Sequence, residues 1–411
     1  MRTAMMLVAA AAALGACKWT EFDDLSGQTW VSSTEKPGVR SADYGVAIQR
    51  GKLTSPSGGA LVVIGANQPT YSQLDYSAQG DAKLDSTIVD LGTQGIGNLD
   101  AQPIVLADPT GDNAALIANG GGSSILVLIG TIGTTAPETI NLFVTPTTVD
   151  AATYVQPPNR PDNNQPQPAR PLIASGDIVT LAYVTPQPNP QPVCKLVDGT
   201  TAIKPQALGA WRNGMYDEVL AWGANGKLYR YPSSVSTGCV GSMAFTASHD
   251  TGFSPGKGSQ ILPVDANHVL LQGHHDVQSA DDAALLQVYD ATTLLPVGGS
   301  VSLPKLRTAA ILAAGSDRYV IAGYPTEIVD GKTAGQVKLF KVSGTGIESS
   351  PSATLNDAQP EDNQSFGRAV AAMPFNGTPV IAVAADNEIF MYFQAKLTSG
   401  AMLYNETRQG R

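Results

Sequence analysis

The chain has 411 residues, of which 43% are hydrophobic and only 15% are charged, with 42 glycines and 28 prolines. This hydrophobic content excludes a disordered chain, and the length suits a repeat array or two to three domains. The formal net charge of −10, without a cluster of Lys and Arg, argues against a nucleic-acid partner. Few charges and many turn residues favour an all-β fold.

The first sixteen residues carry one Arg followed by an unbroken apolar run, which is typical of a secretory signal peptide and too short to span a bilayer. The run ends with Leu14, Gly15 and Ala16 directly before Cys17, which resembles the lipobox of bacterial lipoproteins. That resemblance implies that Cys17 is lipidated and anchors the chain to a membrane of the bacterial cell envelope. An ordinary signal peptide with a chance Cys is the alternative. Because Lys18 replaces the Asp of a known inner-membrane retention signal, we expect an outer-membrane lipoprotein, either periplasmic or surface-exposed.

Residues 17–40 are mostly polar and are interpreted as the lipidated N-terminus and a tether, with one strand at 28–32. From residue 41 to 408, short apolar runs bounded by Gly, Pro, Asn and Asp recur at an interval of roughly 40 to 60 residues, the range of propeller blades. The second strand of each repeat is nearly all apolar, which indicates burial on both faces. Second strands are predicted at 61–69, 115–121, 171–177, 219–226, 269–276, 319–325 and 380–386. Third strands are predicted at 71–76, 125–129, 178–184, 227–231, 285–289, 336–342 and 389–393.

Residues 320–325, 335–342 and 353–355, followed by the Phe366-Gly367 pair, resemble the FG-GAP repeat of integrin α-subunit propellers. The resemblance is good over about 307–393 and 43–76 and is only periodic between them. The resemblance implies an all-β propeller of four-stranded antiparallel blades, and the seven copies of the repeat predict a seven-bladed β-propeller. Two β-sandwich domains with similar strand spacing are the alternative. Either residues 401–405 or residues 28–32 are expected to complete the last blade.

In integrin-like propellers the ligand face is formed by the connections between second and third strands and between fourth and first strands. Carried over by position, this marks Asn67, Gln68, His274, His275, Asp276 and the segment from Tyr324 to Asp330 as a possible ligand face. The calcium loops of such repeats are largely missing, and Asp108 and Asp112 are only weak candidates. We therefore predict no metal site and no cofactor.

Several other residues admit two interpretations. His274 and His275 are adjacent, so their side chains point apart in an extended chain, and a polar turn is favoured over a metal site. Trp211, Trp222 and the residues 229–231 suggest core packing, with a carbohydrate platform as the alternative. Cys194 and Cys239 suggest a disulfide in an exported protein, with two separate buried thiols as the alternative. The Pro-rich segments 156–171 and 185–192 are predicted to be loops that flank the third repeat.

These features favour a non-enzymatic module that binds a protein or a glycan. An envelope glycan hydrolase or lyase, or a structural scaffold of an outer-membrane assembly, are the alternatives. A hydrolase or lyase would need two or more carboxylates on the innermost strands of the ring. The innermost strands predicted at LGAWR, QILPV and AAILAA are poor in Asp and Glu, and no nucleophile elbow is present.

Overall fold

The fold is described from a computed structural model. It describes residues 29–35, 45–51, 60–65, 70–76, 82–84, 89–90, 103–107, 114–120, 123–129, 138–141, 149–156, 169–181, 193–213, 216–237, 240–274, 283–357, 360–375, 378–386, 388–394 and 402–403. Apart from a single 3-10 helix at Ser233–Thr237, the regular structure of these residues consists of β-strands. No helix in these ranges is long and apolar enough to cross a membrane.

Strands follow one another along the chain and group into consecutive sheets. The first half contains β1 (Thr29–Glu35), then β2 (Ala47–Gly51), β3 (Ala60–Gly65), β4 (Thr70–Tyr76), β5 (Ala82–Leu84), β6 (Val89–Asp90), then β7 (Ile104–Ala107), β8 (Ala114–Gly120), β9 (Ser123–Ile129), β10 (Glu138–Asn141), then β11 (Ala151–Val155), β12 (Arg170–Ser175), β13 (Ile178–Leu181), β14 (Val193–Asp198) and β15 (Thr201–Ala202).

The second half begins with β16 (Pro205–Asn213), β17 (Tyr216–Gly223), β18 (Lys227–Tyr231), β19 (Gly241–Ala244), β20 (Ala247–Asp250), then β21 (Gln260–Pro263), β22 (His268–His274), β23 (Ala283–Asp290) and β24 (Pro296–Pro304). It ends with β25 (Thr308–Ala314), β26 (Asp317–Tyr324), β27 (Ile328–Val329), β28 (Lys332–Thr333), β29 (Gln336–Ser343), β30 (Gly346–Ile347), β31 (Ala353–Leu355), β32 (Ala369–Phe375), β33 (Thr378–Ala385), β34 (Glu388–Gln394) and β35 (Met402–Leu403).

Seven sheets of four or more strands are present in the described residues, and their first strands form a closed ring. Neighbouring strands in each sheet pair antiparallel, apart from the parallel pairs of β14 with β19 and of β31 with β35. Each first strand contacts the first strand of the next sheet, in the order β2, β7, β11, β16, β21, β25 and β32, and β32 contacts β2. The three predicted innermost strands lie in β16, β21 and β25. The sheets are therefore the blades of a ring, and we number them 1 to 7 in chain order.

The predicted second and third strands are confirmed in all seven blades. Each predicted second strand overlaps the second strand of its sheet, and each predicted third strand overlaps the third. In β8, for example, Leu116 and Ile117 point to opposite faces of the sheet and both are fully buried. A sheet with neighbours on both faces needs apolar side chains at every position of its middle strands, which explains the continuous apolar runs.

The N-terminal strand β1 closes the ring. It pairs antiparallel with β34, from Thr29 opposite Gln394 to Glu35 opposite Glu388, and so forms the fourth strand of blade 7. Of the two segments that the sequence offered for this position, the structure selects the N-terminal one. The C-terminal strand β35 pairs in parallel with β31, at the outer edge of blade 6.

The junction between blades 6 and 7 is built around the Phe366-Gly367 pair. The Phe366 ring is fully buried and contacts Phe390 and Tyr392, with ring centroids 5.2 and 6.3 Å apart. Gly367 has a φ of 90°, a conformation that favours glycine. A Cβ on Gly323 would lie 2.0 Å from the Gly367 carbonyl oxygen, so the two blades approach through their backbones.

The junction between blades 3 and 4 is built differently. Strand β19 leaves blade 4 and pairs in parallel with β14 of blade 3, which places Gly241 opposite Cys194. Cys194 is buried and disulfide-bonded. Cys239 lies outside the described residues, so the predicted pairing of these two cysteines stays a prediction, which the pairing of Gly241 supports.

Polar bonds reinforce the same junction. The Asp198 carboxylate of blade 3 accepts hydrogen bonds from the Lys227 ammonium and the Tyr229 hydroxyl of blade 4, both at 3.0 Å. The bond from Lys227 and, to a smaller extent, the bond from Tyr229 lower the pKa of Asp198. The bond between Lys227 and Asp198 also raises the pKa of Lys227.

Candidate functional site

The connections between second and third strands, and those that lead from a fourth strand to the next blade, emerge on one side of the ring. We call this side the loop face. Its best-described part lies on blades 6 and 7, where it consists of the connection 325–335, between β26 and β29, and the crossover 356–368, between β31 and β32.

The connection 325–335 folds into a β-hairpin, which we call the blade 6 hairpin. Strand β27 pairs with β28, and the turn between them contains Asp330 with a φ of 51° and Gly331 with a φ of 81°. Positive φ at both central residues defines the two-residue turn that matches the twist of a hairpin, and Asp-Gly is a preferred sequence for it. This signal was visible in the sequence, but the flanking strands of two residues each are too short to show an apolar pattern.

The crossover 356–368 holds the blade 6 hairpin from one side. The backbone N–H of Thr333 donates to the Asp362 carboxylate at 3.0 Å, and the N–H of Asn363 donates to the Thr333 carbonyl at 2.8 Å. The Lys332 ammonium donates to the Pro360 carbonyl at 2.7 Å. The contact between the crossover and the hairpin is therefore fixed by hydrogen bonds rather than by packing alone.

Charges around the hairpin are mostly negative. Glu327 lies 3.8 Å from the Lys338 ammonium, which also sits 4.6 Å above the Tyr324 ring. Asp330, Glu361 and Asp362 are exposed, with Lys332 as the exposed cation among them. Three carboxylates against one ammonium give this corner a negative potential, in keeping with the acidic chain.

Two of the residues predicted on the ligand face are buried instead. The His274 side chain is buried at the interface between blades 5 and 6, where its Nε2 atom lies 2.6 Å from Nε2 of Gln272. Tyr324 is also buried, and burial raises the pKa of its hydroxyl. Each is the last residue of a middle strand, because β22 ends at His274 and β26 ends at Tyr324, and neighbouring blades cover the faces of these strands. Asn67, Gln68, His275 and Asp276 lie outside the described residues.

The weak metal candidates Asp108 and Asp112 lie outside the described residues. Among the residues that are described, no group of three or more His, Cys, Asp or Glu side chains could hold a metal ion. Asp265, in the connection where a repeat of this kind carries its calcium loop, accepts hydrogen bonds from the backbone N–H groups of Asn267 and His268, at 2.8 and 2.9 Å. The Asp265 carboxylate therefore stabilises its own turn through these hydrogen bonds.

The aromatic residues of blade 4 form core, as the sequence favoured. Trp211, Trp222, Tyr229 and Tyr231 are all buried. Among all side chains whose burial is described, no aromatic ring is exposed. A flat aromatic platform for a sugar is therefore missing from the described surface.

The channel side of the ring offers no pair of carboxylates in the strands that the structure describes. The seven innermost strands, β2, β7, β11, β16, β21, β25 and β32, contain neither Asp nor Glu, and their charged residues are Arg50 and Arg212. The residues that a channel-centred hydrolase or lyase would need are thus missing from these described strands.

Comparison with known proteins gives a fold and no family. No protein-family model and no curated protein matches the sequence. A solved structure of BBS1N in complex with ARL6DN, soaked with mercury, is similar, with a TM-score of 0.52 and 11% sequence identity. The match covers 90% of this chain and 99% of that chain. The chain folds as a β-propeller. Its seven sheets agree with the predicted number of blades, and the ring excludes the two-sandwich alternative.

Proposed function

We propose that this propeller is a non-enzymatic binding module that takes a protein partner on its loop face. The observation that carries the proposal is the contrast between the two places where a propeller can act. The innermost strands described above lack carboxylates, whereas the loop face at blades 6 and 7 carries an ordered hairpin with exposed side chains. Fold alone does not establish function, so the proposal depends on this site.

A protein partner fits the described surface better than a glycan. Protein recognition uses apolar side chains with a polar rim, and the blade 6 hairpin combines an exposed Ile328 with exposed carboxylates. Sugar recognition typically uses exposed aromatic rings, and the candidate rings of blade 4 are buried. The similar solved structure holds BBS1N in complex with ARL6DN, which is consistent with this choice.

We further propose that Cys17 carries a lipid that anchors the propeller to the cell envelope, in the manner of the FG-GAP-like bacterial lipoprotein that the sequence resembles. The support comes from the lipobox-like residues before Cys17 in the sequence. Residues 1–28 lie outside the described part of the chain. Residues 18–28 then form the tether to β1, with an extended reach of roughly 40 Å. Because Thr29 pairs with Gln394, the tether reaches the ring on the side opposite the loop face.

Two measurements on cells that make the full chain test this function. Reversible cross-linking followed by affinity capture is expected to recover a specific envelope protein, and isolated envelope glycans are expected to stay intact when incubated with the purified chain. If the purified chain cleaves such a glycan and no protein is captured, the chain is an enzyme and the proposed binding function is wrong. For the anchor, Cys17→Ser is expected to move the chain from the membrane fraction to the soluble fraction. Protease shaving of intact cells then tells a surface-exposed chain from a periplasmic one.

A further inference from the structure

The blade 6 hairpin presents one apolar side chain to solvent and buries the next. Ile328 is 64% exposed, whereas its neighbour Val329 is buried. The described surface contains two other exposed large apolar residues, Leu295 and Val240, and both lie toward the side of the ring away from the loop face. A single exposed Ile is ordinary on a protein surface, so its support and its surroundings decide what it means.

The support of Ile328 is rigid. The Gly335 N–H donates to the Glu327 carbonyl at 3.0 Å and closes the base of the hairpin. Thr333, which pairs with Ile328, donates its N–H to the Asp362 carboxylate and accepts a hydrogen bond from the Asn363 N–H, so the strand beside Ile328 is held against the crossover. A backbone held in place before binding loses little conformational entropy on binding, which favours Ile328 as the central contact of an interface.

The surroundings of Ile328 are acidic. Asp330 lies in the turn of the hairpin, and Glu361 and Asp362 lie on the crossover that supports it. These three exposed carboxylates outnumber the one exposed ammonium among them, that of Lys332, so the corner attracts a basic partner and repels an acidic one. It also opposes self-association of this chain, whose formal net charge is −10.

We propose that Ile328 is the central contact for a protein partner that has an apolar pocket bordered by Lys and Arg side chains. This proposal rests on the proposed binding function and adds the contact residue and the charge of the partner. Ile328 fills the pocket, and Asp330 and Glu361 meet the basic border.

Site-specific photo-cross-linking of the full chain in its own cells tests the proposal. Benzoylphenylalanine is placed singly at position 328, at position 295 on the opposite side, and at position 224, in the exposed second-to-third turn of blade 4 on the loop face. We expect position 328 to give an adduct with another protein, with Lys or Arg beside the cross-linked residue, and position 295 to give none. The double variant Asp330→Asn and Glu361→Gln, or raised salt, is expected to reduce that adduct about tenfold.

Once the partner is known, its affinity is compared for Ile328→Ser and Leu295→Ser, two polar substitutions at exposed sites (64% and 54% exposed) that leave the core intact. Ile328→Ser is expected to weaken binding on the order of tenfold or more, and Leu295→Ser to leave it unchanged. A partner captured from position 224 but not from 328, a salt-insensitive adduct, or an adduct with a second copy of this chain would overturn the hairpin proposal alone. Folded protein that captures nothing from 328 or 224 would overturn the binding function as well.

Discussion

The two junctions described above join consecutive blades by different means. Between blades 6 and 7 the backbones touch, since Gly323 faces the Gly367 carbonyl and Phe366 fills the space beside them. Between blades 3 and 4 the contact is made by side chains and a crossing strand, through Asp198 and the disulfide-bonded Cys194. The junction with the Phe-Gly pair therefore adds close backbone packing to its hydrogen bonds, whereas the junction without the pair has an ion pair, a crossing strand and a disulfide-bonded cysteine.

The largest expected effect is at Phe366. Phe366→Ala empties a fully buried site and is expected to lower the free energy of unfolding by about 3–5 kcal/mol. Denaturant unfolding measures it, with Phe245→Ala as the control, because Phe245 is only partly buried and packs beside Tyr229 at the other junction. A loss no larger than that of the control would mean that the ring does not hold blades 6 and 7 together.

Removal of the disulfide tests the other junction. Cys194→Ala is expected to lower the free energy of unfolding by about 2–4 kcal/mol, and reduction of the wild-type protein should cost about the same. Cys239→Ala should reproduce the effect. If Cys239→Ala leaves the oxidised protein as stable as before, Cys194 is bonded to another cysteine. The loss of unfolding free energy caused by reduction should add to the loss caused by Phe366→Ala, since the two junctions are separate.

A methyl group at the closest backbone approach is expected to have the next largest effect. Gly323→Ala should lower the free energy of unfolding by about 2 kcal/mol, because the new Cβ would be 2.0 Å from the Gly367 oxygen and the blades must shift. Gly299→Ala is the matched control, since nothing lies within 4 Å of its Cβ position. Equal melting temperatures for the two variants would show that blades 6 and 7 adjust freely.

The polar bonds of the junction between blades 3 and 4 predict a pH dependence. The pKa of Asp198 is lowered in the folded state, so its contribution to stability is present above its ordinary pKa of 3.8 and is lost as the pH falls through the lowered value. Asp198→Asn should therefore melt below the wild type at pH 7, and the difference should shrink below pH 3.8. The difference caused by Phe366→Ala should not change with pH. A pH-independent effect of Asp198→Asn would contradict the assigned bonds.

The smallest expected effect is at Tyr324. Its buried hydroxyl has no hydrogen-bond partner within the described residues. Tyr324→Phe should therefore leave the free energy of unfolding unchanged or raise it by up to about 1 kcal/mol. Tyr392→Phe is the control, because the Tyr392 hydroxyl donates to the Asn356 carbonyl at 3.3 Å and its loss should be destabilising. Destabilisation by Tyr324→Phe would reveal a bond to that hydroxyl.

The strands of the propeller could be predicted because middle strands are buried on both faces, so runs such as Leu116 and Ile117 are continuous in the sequence. The sequence also marks the segment from Tyr324 to Asp330 as part of a ligand face, but it does not predict the hairpin there, because the strands of that hairpin are two residues long. Position in an integrin-like repeat assigns His274 and Tyr324 to the ligand face, whereas each is the buried last residue of a middle strand, and neither residue type reveals that by itself. The parallel pairing of β19 with β14 joins residues that are far apart in sequence, and local patterns carry no record of such contacts.

Closure by β1 has a consequence for the order in which the protein forms. The first strand that the structure describes, β1, pairs with β34, which a ribosome delivers only after all six preceding blades. Blade 7 therefore cannot form until β34 has been made, and the long loop between β1 and β34 closes slowly. During that time β1 is an unpaired strand, open to pairing with another chain, and a chain shortened before residue 388 has no β34 with which to complete its ring.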